Sequence, residues 1–239
     1  GMGISIFDIF KIGVGPSSSH TMGPMRAAGR FLADLDDAGR MPDVARVGVR
    51  LYGSLALTGR GHCTDVAVLL GLEGEEAETL DTEAVEERLE RIRETGRLRL
   101  GRGPEIDFDT SLDLLFLIDQ SLPRHPNGMR FTALDSAGRN LLTETFYSVG
   151  GGFVVREDED DTAGVDDREV TWPYATAAEL LELAERRNCG IHRIVLENES
   201  AWRPETETRA GLLHIWSVMR ECVQRGFRRD GVLPGVLRV

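Results

Sequence analysis

The stretch HPNGMRFTALDSAGRNLLTETFYSVGGGFVV, residues 125–155, leaves the least freedom to any fold this chain could adopt. Apolar and polar side chains alternate from Arg130 to Leu134 and again from Thr143 to Tyr147, with the turn-forming DSAGRN between them. A period of two places alternate residues on opposite faces of an extended chain, so the stretch reads as two strands around one turn. Three successive glycines, Gly150 to Gly152, break the second strand, either as a bulge or bend or where a ligand or another segment approaches closely. VARVGVRLYG alternates in the same manner, with Val47, Val49 and Leu51 on one face, and LRLGRGPEIDFDTSLDLLFL reads as short extended segments.

Helical periodicity is interleaved with these strands. Met25, Ala28, Leu32 and Leu35 recur at helical spacing, and the helix they predict runs to about Ala38, where Gly39 and Pro42 stop it. LALTGRGHCTDVAVLLGLEG turns at Gly59 and Gly61 and enters a second helix at about Thr64, with Thr64 or Asp65 as its cap. TEAVEERLERIRETGRL is amphipathic, with Val85, Leu89 and Ile92 as its stripe and Glu87–Arg91 as an i,i+4 pair. The fold class expected is α+β: a mixed sheet with flanking helices over residues 2–156, an acidic linker over 157–171, and a helical C-terminal segment over 172–239. In that last segment Ala177, Leu180, Leu181 and Ala184 make one stripe, and Leu212, Trp216, Met219 and Val223 another.

The formal charge of -12 disfavours non-specific nucleic-acid binding, which needs a basic footprint. No apolar run is long enough to span a membrane. Cys63, Cys189 and Cys222 are widely spaced and odd in number, with no C-x-x-C pair, which argues against a disulfide scaffold or a zinc site and points to a reducing cytoplasm.

KIGVGPSSSHTMGPMRAAGR, Lys11 to Arg30, holds the densest chemistry. Ser17, Ser18, Ser19 and Thr21 stand just ahead of Pro24, a residue suited to a first helical turn, and a helix start offers unpaired N–H groups to an anion. A carboxylate or phosphate cradle with His20 as proton carrier is one reading, and a solvated Ser-rich cap is the other. GRGHCTD places His62 and Asp65 at a loop-to-helix junction, which suits acid–base work or substrate orientation; a capped helix with an exposed histidine is the alternative. Cys63 is reactive if the helix N-terminus lowers its pKa, and otherwise a small buried hydrophobe. HPNGM, with His125, Asn127 and Gly128, reads locally as a tight turn. His192 and His214 have no partner motif.

Taken together, FDIFKIGVGPSSSHTMGPMRAA, LYGSLALTGRGHCTD, LLGLEG, HPNGM and FYSVGGGF resemble the N-terminal, or beta, portion of the iron–sulfur-dependent L-serine dehydratases (L-serine ammonia-lyases), densely from about Ile4 to Val155. The tail from Ala177 to Val239 resembles the start of that family's helical alpha domain. The resemblance implies a lyase that converts L-serine to pyruvate and ammonia without pyridoxal phosphate. It implies a [4Fe-4S] cluster whose ligands belong to the alpha domain, with none in this chain, and a fold related to an allosteric substrate-binding domain. It implies that Ser18, Ser19, His20 and Thr21 face substrate, that His62, Thr64 and Asp65 form a second wall, and that Asn127 and Gly128 contribute more weakly. His20 and His62 are the groups for proton handling or substrate orientation. Cys63 departs from the small residue, such as glycine, that the family pattern leads one to expect. The partners implied are L-serine and the alpha domain, either later in the same chain or in a separate subunit. The chain by itself is then expected to be inactive. A second reading is a non-catalytic module that binds serine or another small anion, and a third gives the α+β unit a dimerisation role, as a homodimer.

Overall fold

The computed structural model describes residues 4–160 and 168–232, which divide into two compact units: residues 13–160, and residues 4–12 together with 168–231. The boundaries expected at residues 156 and 172 lie on either side of residues 161–167, which fall outside the described residues.

The larger unit is built on a sheet in the order β4-β1-β5-β6-β7. β1 (Arg46–Tyr52) runs parallel to β4 (Leu114–Leu117) and antiparallel to β5 (Gly128–Leu134). β5, β6 (Asn140–Gly150) and β7 (Phe153–Arg156) follow as antiparallel neighbours. The expected strand pair is thus the centre of the sheet, with Phe131 opposite Glu144 and Met129 opposite Phe146. The expected short segments are present, β2 (Arg97–Arg99) and β3 (Glu105–Asp107) pairing apart from the main sheet. Val47, Val49, Leu51, Met129, Phe131, Ala133 and Phe146 are fully buried on one face, because alternation puts every second residue there.

Helices cover that face. α2 (Gly23–Asp37) buries Met25, Ala28, Leu32 and Leu35, as its spacing predicts, and carries Pro24 in its first turn. A six-residue helix, α3 (Gly53–Thr58), follows β1 where the sequence reads as leading only into a turn. α4 (Thr64–Leu72) and α5 (Val85–Thr95) complete the layer. α2 and α4 touch across Gly71, where a Cβ would stand 2.5 Å from the Met25 carbonyl oxygen and 2.8 Å from Ala28 Cβ. The expected Glu87–Arg91 pair gives way to tertiary partners: Arg88 and Arg91 both bind Glu73. Gly150, Gly151 and Gly152 all have positive φ, which lets the chain turn tightly from β6 into β7. Arg26 then donates to the Gly152 carbonyl at 2.8 Å.

Glu144 shows what a carboxyl on the helix-covered face experiences. Its side chain is only 10% exposed, and Arg156 Nη1 donates both to it, at 3.2 Å, and to Asp34 of α2, at 2.9 Å. Burial, then the neighbouring Asp34 carboxylate, push its pKa up to about 7, against the pull of Arg156. A folded-state pKa above the unfolded one means the folded protein holds the extra proton. The stability this adds is complete below the unfolded value near pH 4.5 and is lost as pH rises through 7. Glu144→Gln, which keeps the shape and an acceptor for Arg156, should therefore be more stable than the native chain at pH 8 by about 2 kcal/mol. Denaturant melts at pH 8 and pH 5 check this, since the gap should close at the lower pH.

The smaller unit joins α1 (Ile6–Ile9) to α6 (Ala177–Arg186), α7 (Ile191–Glu199) and α8 (Glu205–Gly226). Ser5 caps α1, and the buried Glu199 accepts from Ser5 Oγ at 2.9 Å and from the Ile6 amide at 2.6 Å. On α8 the expected apolar stripe is present, and Trp216, Met219 and Val223 are exposed. Among the described residues, no helix is long and apolar enough to cross a membrane.

Candidate functional site

The two histidine-bearing loops lead into α2 and α4, and the close packing of those helices across Gly71 sets the loops side by side. The SSSHT loop forms a π-helical turn, Ser18–Met22, that continues into α2. Ser17 caps it: its side-chain oxygen accepts from the His20 amide at 3.2 Å, and its carbonyl accepts from the Thr21 amide at 3.0 Å. The turn thus closes largely on its own cap, leaving Ser18 exposed and Ser19 half-buried at its rim.

The GHCTD loop enters α4 differently from the expected Thr64 or Asp65 cap. Cys63 occupies the cap position in the left-handed region, at φ 55°. That conformation favours glycine, which accounts physically for the small residue expected there. Burial, and then the Asp65 carboxylate in the first turn of α4, push the Cys63 thiol up, so it is not an activated nucleophile. Asp65 itself is half-buried and complements the positive end of the helix.

The loops are stitched to one another reciprocally. Thr21 Oγ1 donates to the His62 carbonyl at 2.8 Å, and Thr64 Oγ1 donates to the His20 carbonyl at 2.5 Å. Both threonines are buried, so hydroxyls that the resemblance assigned to substrate are engaged in binding the opposite loop. The consequence is a pair of imidazoles with ring centroids 4.9 Å apart and planes tilted by 43°.

His62 Nδ1 lies 3.0 Å from the Thr58 carbonyl, which can only accept. The Nδ1 atom must therefore carry the proton, and in the neutral ring Nε2 keeps its lone pair. His20 has Ser19 Oγ 2.9 Å from Nδ1 and Ser54 Oγ 3.0 Å from Nε2. Burial lowers the His20 pKa first and the neighbouring His62 lowers it further, against a hydrogen bond to the Ser54 backbone that raises it. His20 is accordingly neutral at pH 7, and a proton taken up by one imidazole opposes a second on the other.

HPNGM is tied in through backbone. The Ser54 amide donates to the Pro126 carbonyl at 2.9 Å. Asn127 exchanges two bonds with Ser148, its Nδ2 donating to the Ser148 carbonyl and its carbonyl accepting the Ser148 amide, both at 3.0 Å. His125 Nδ1 accepts from the Asn127 amide at 3.0 Å, and where the local sequence reads as a tight turn the chain makes a bend at Pro126 and Asn127 that enters β5 at Gly128. Gly128 is buried at the start of β5, against Leu122. Ser54, the Thr58 carbonyl and Ser148 are the site neighbours that sequence reasoning missed. Ser148 Oγ is buried against Gly23, where a Cβ would stand 2.0 Å from it. The one available signal for Ser54 was Gly53, a glycine at a strand end. His192 and His214 fall on α7 and α8 of the smaller unit.

Among the described residues, no three His, Cys, Asp or Glu side chains converge as a metal-binding group, and the cysteines are free thiols. An iron–sulfur cluster is held by several thiolates. The three cysteines of the chain are free thiols that form no such group among the described residues, so the donors described here do not fit such a cluster.

The profile of the family described as serine dehydratase beta chain matches residues 5–159, which include both histidine loops, HPNGM and the glycine turn. Over its whole length the chain is 50% identical to an L-serine dehydratase of Streptomyces coelicolor, covering 53% of that protein. It is 49% identical to an L-serine dehydratase of Mycobacterium tuberculosis, covering 51% of it, and 42% identical to L-serine dehydratase 2 of Escherichia coli over 99% of this chain and 52% of that one. The chain thus spans about half the length of the curated relatives it matches. With the family's motifs arranged as one cross-stitched site, this chain belongs to the serine dehydratase beta chain family.

Proposed function

We propose that this chain is the beta portion of an L-serine ammonia-lyase and supplies the proton-handling and substrate-orienting half of its active site. The observation that carries the reading is the cross-stitched His20–His62 pair at the mouths of two packed helices. Deamination of serine begins with loss of the α-proton and the β-hydroxyl, so it needs a group that can take a proton at neutral pH. Neutral His20 is such a group, and His62, whose Nδ1 is held by the Thr58 carbonyl, stands beside it to orient substrate. Ser18 and Ser19, at the rim of the π-helical turn, are assigned to the serine carboxylate. Asp65, Asn127 and Gly128 belong to the second wall; Thr21 and Thr64 act by fixing the loops rather than by touching substrate. The [4Fe-4S] cluster that the family resemblance implies has no fitting donor set here, and we assign its ligands to the alpha portion, as a later part of the same protein or as a partner subunit.

The full-length protein, purified anaerobically, should convert L-serine to pyruvate, and residues 1–239 alone should not. Pyruvate formed by this chain alone would sink the division of labour. Calorimetry separates the binding-module reading: half of a shared site binds L-serine weakly or not at all, whereas tight saturable binding by residues 1–239 would identify a sensor.

A further inference from the structure

Both imidazoles are held by the same short helix. The hydroxyl of Ser54, in the first turn of α3, meets His20 Nε2 at 3.0 Å, and the carbonyl of Thr58, its last residue, meets His62 Nδ1 at 3.0 Å. The two anchors are themselves linked, because Thr58 Oγ1 donates to the Ser54 carbonyl at 3.0 Å. The start of α3 has little freedom to move. Gly53 sits at φ 53°, and a Cβ there would stand 2.4 Å from the Pro126 carbonyl oxygen. The Gly53 amide donates to Gln120 at 2.8 Å, and the Ser54 amide to Pro126 at 2.9 Å. Ser54 Oγ is thus delivered to His20 from a backbone clamped onto Gln120 and onto Pro126 of HPNGM.

On the other side of the ring, Ser17 Oγ already accepts the His20 amide and lies 3.4 Å from Ser19 Oγ, which lies 2.9 Å from His20 Nδ1. Ser17, having accepted, has its own proton to donate to Ser19. In that order Ser19 donates to Nδ1 and Nε2 is the N–H that faces Ser54; the reverse order, with Nδ1–H donating through Ser19 to Ser17, would turn the ring's lone pair to Ser54. We propose that Ser54 is a positioning residue: it accepts from Nε2–H of neutral His20, fixes that tautomer and the ring orientation, and makes α3 a common support for both histidines. A hydroxyl acting through a histidine is a familiar way to set which ring nitrogen keeps its lone pair.

The kinetic consequence rests on the proposed role of His20, so the test has a readout that does not. Two-bond proton–nitrogen correlation spectra of residues 1–239, recorded above pH 7, should show native His20 as one Nε2–H tautomer. In Ser54→Ala that signal should move toward a mixture, and Ser54→Thr, which keeps the hydroxyl, should restore it. Should Ser54→Ala fail to fold, Ser54→Cys carries the same spectra. Unchanged His20 nitrogen shifts in the folded variant would overturn the proposal. In the full-length enzyme Ser54→Ala should lower kcat about tenfold with little change in KM, as expected for loss of one hydrogen bond. Altered spectra with native kcat would leave the positioning intact and count against the assignment of His20 to the substrate.

Discussion

His20→Ala and His62→Ala, each made in the full-length enzyme, should lower serine turnover by roughly 10²–10³-fold, the range expected when a positioned acid–base group is lost. The two losses should not multiply in the double variant. The rings are 4.9 Å apart, and each loop is held by the threonine of the other, so removing one imidazole already disturbs its neighbour. The pH profile carries a sign. His20 is held below its ordinary value of 6.5 and is useful when neutral, so kcat/KM of the native enzyme should fall on the acid side, below pH 6.5. Folding follows the same direction: charging a half-buried imidazole beside His62 costs stability that is fully present above pH 6.5 and lost as pH drops toward the depressed value. Native turnover by both single variants would remove the histidines from the reaction.

Gly71→Ala should destabilise the contact between α2 and α4. Helix propensity alone favours alanine by about 1 kcal/mol. The added methyl, however, would lie 2.5 Å from the Met25 carbonyl oxygen and 3.1 Å from Met25 Cα, and backbone cannot swing aside as a flexible side chain can. Overpacking of this kind typically costs about 1–3 kcal/mol, so α2 and α4 must separate, and after the propensity gain we expect a net loss of about 1 kcal/mol and a fall in Tm of roughly 3 °C. Calorimetric melting checks it. The same separation would strain both threonine bonds, because they span the starts of the two helices. A variant as stable as the native chain would mean that the helices have slack at their contact.

The fold was legible where periodicity is long enough to be seen. β5 and β6, with β1, follow from alternation, and α2, α5 and α8 from apolar spacing. α1 and α3 were not legible, since four and six residues are too few to establish a period, and the glycines after α3 read as turn. The start of α4 was placed correctly at Thr64 for the wrong reason. A threonine before a helix usually caps it, but this hydroxyl is drawn to the His20 carbonyl, forty-four residues earlier, and Cys63 takes the cap position. Arg91 likewise found Glu73 rather than Glu87, because a tertiary partner outcompeted a local one. Within the site, residue types disclosed chemistry but not direction. His20 and His62 could be singled out by residue type and family resemblance, whereas Ser54 has only Gly53 beside it as a signal and its role becomes visible once α3 is folded against His20.

The reciprocal threonine bonds also bear on how the site comes apart. Neither loop can lift away without breaking its own hydrogen bond and the one its partner contributes, so local opening is a joint event rather than two independent ones. The amides of both loops should then exchange with solvent at a shared rate. A damaging substitution in either loop becomes a defect of both, and the two segments are free to change over time only in step with each other.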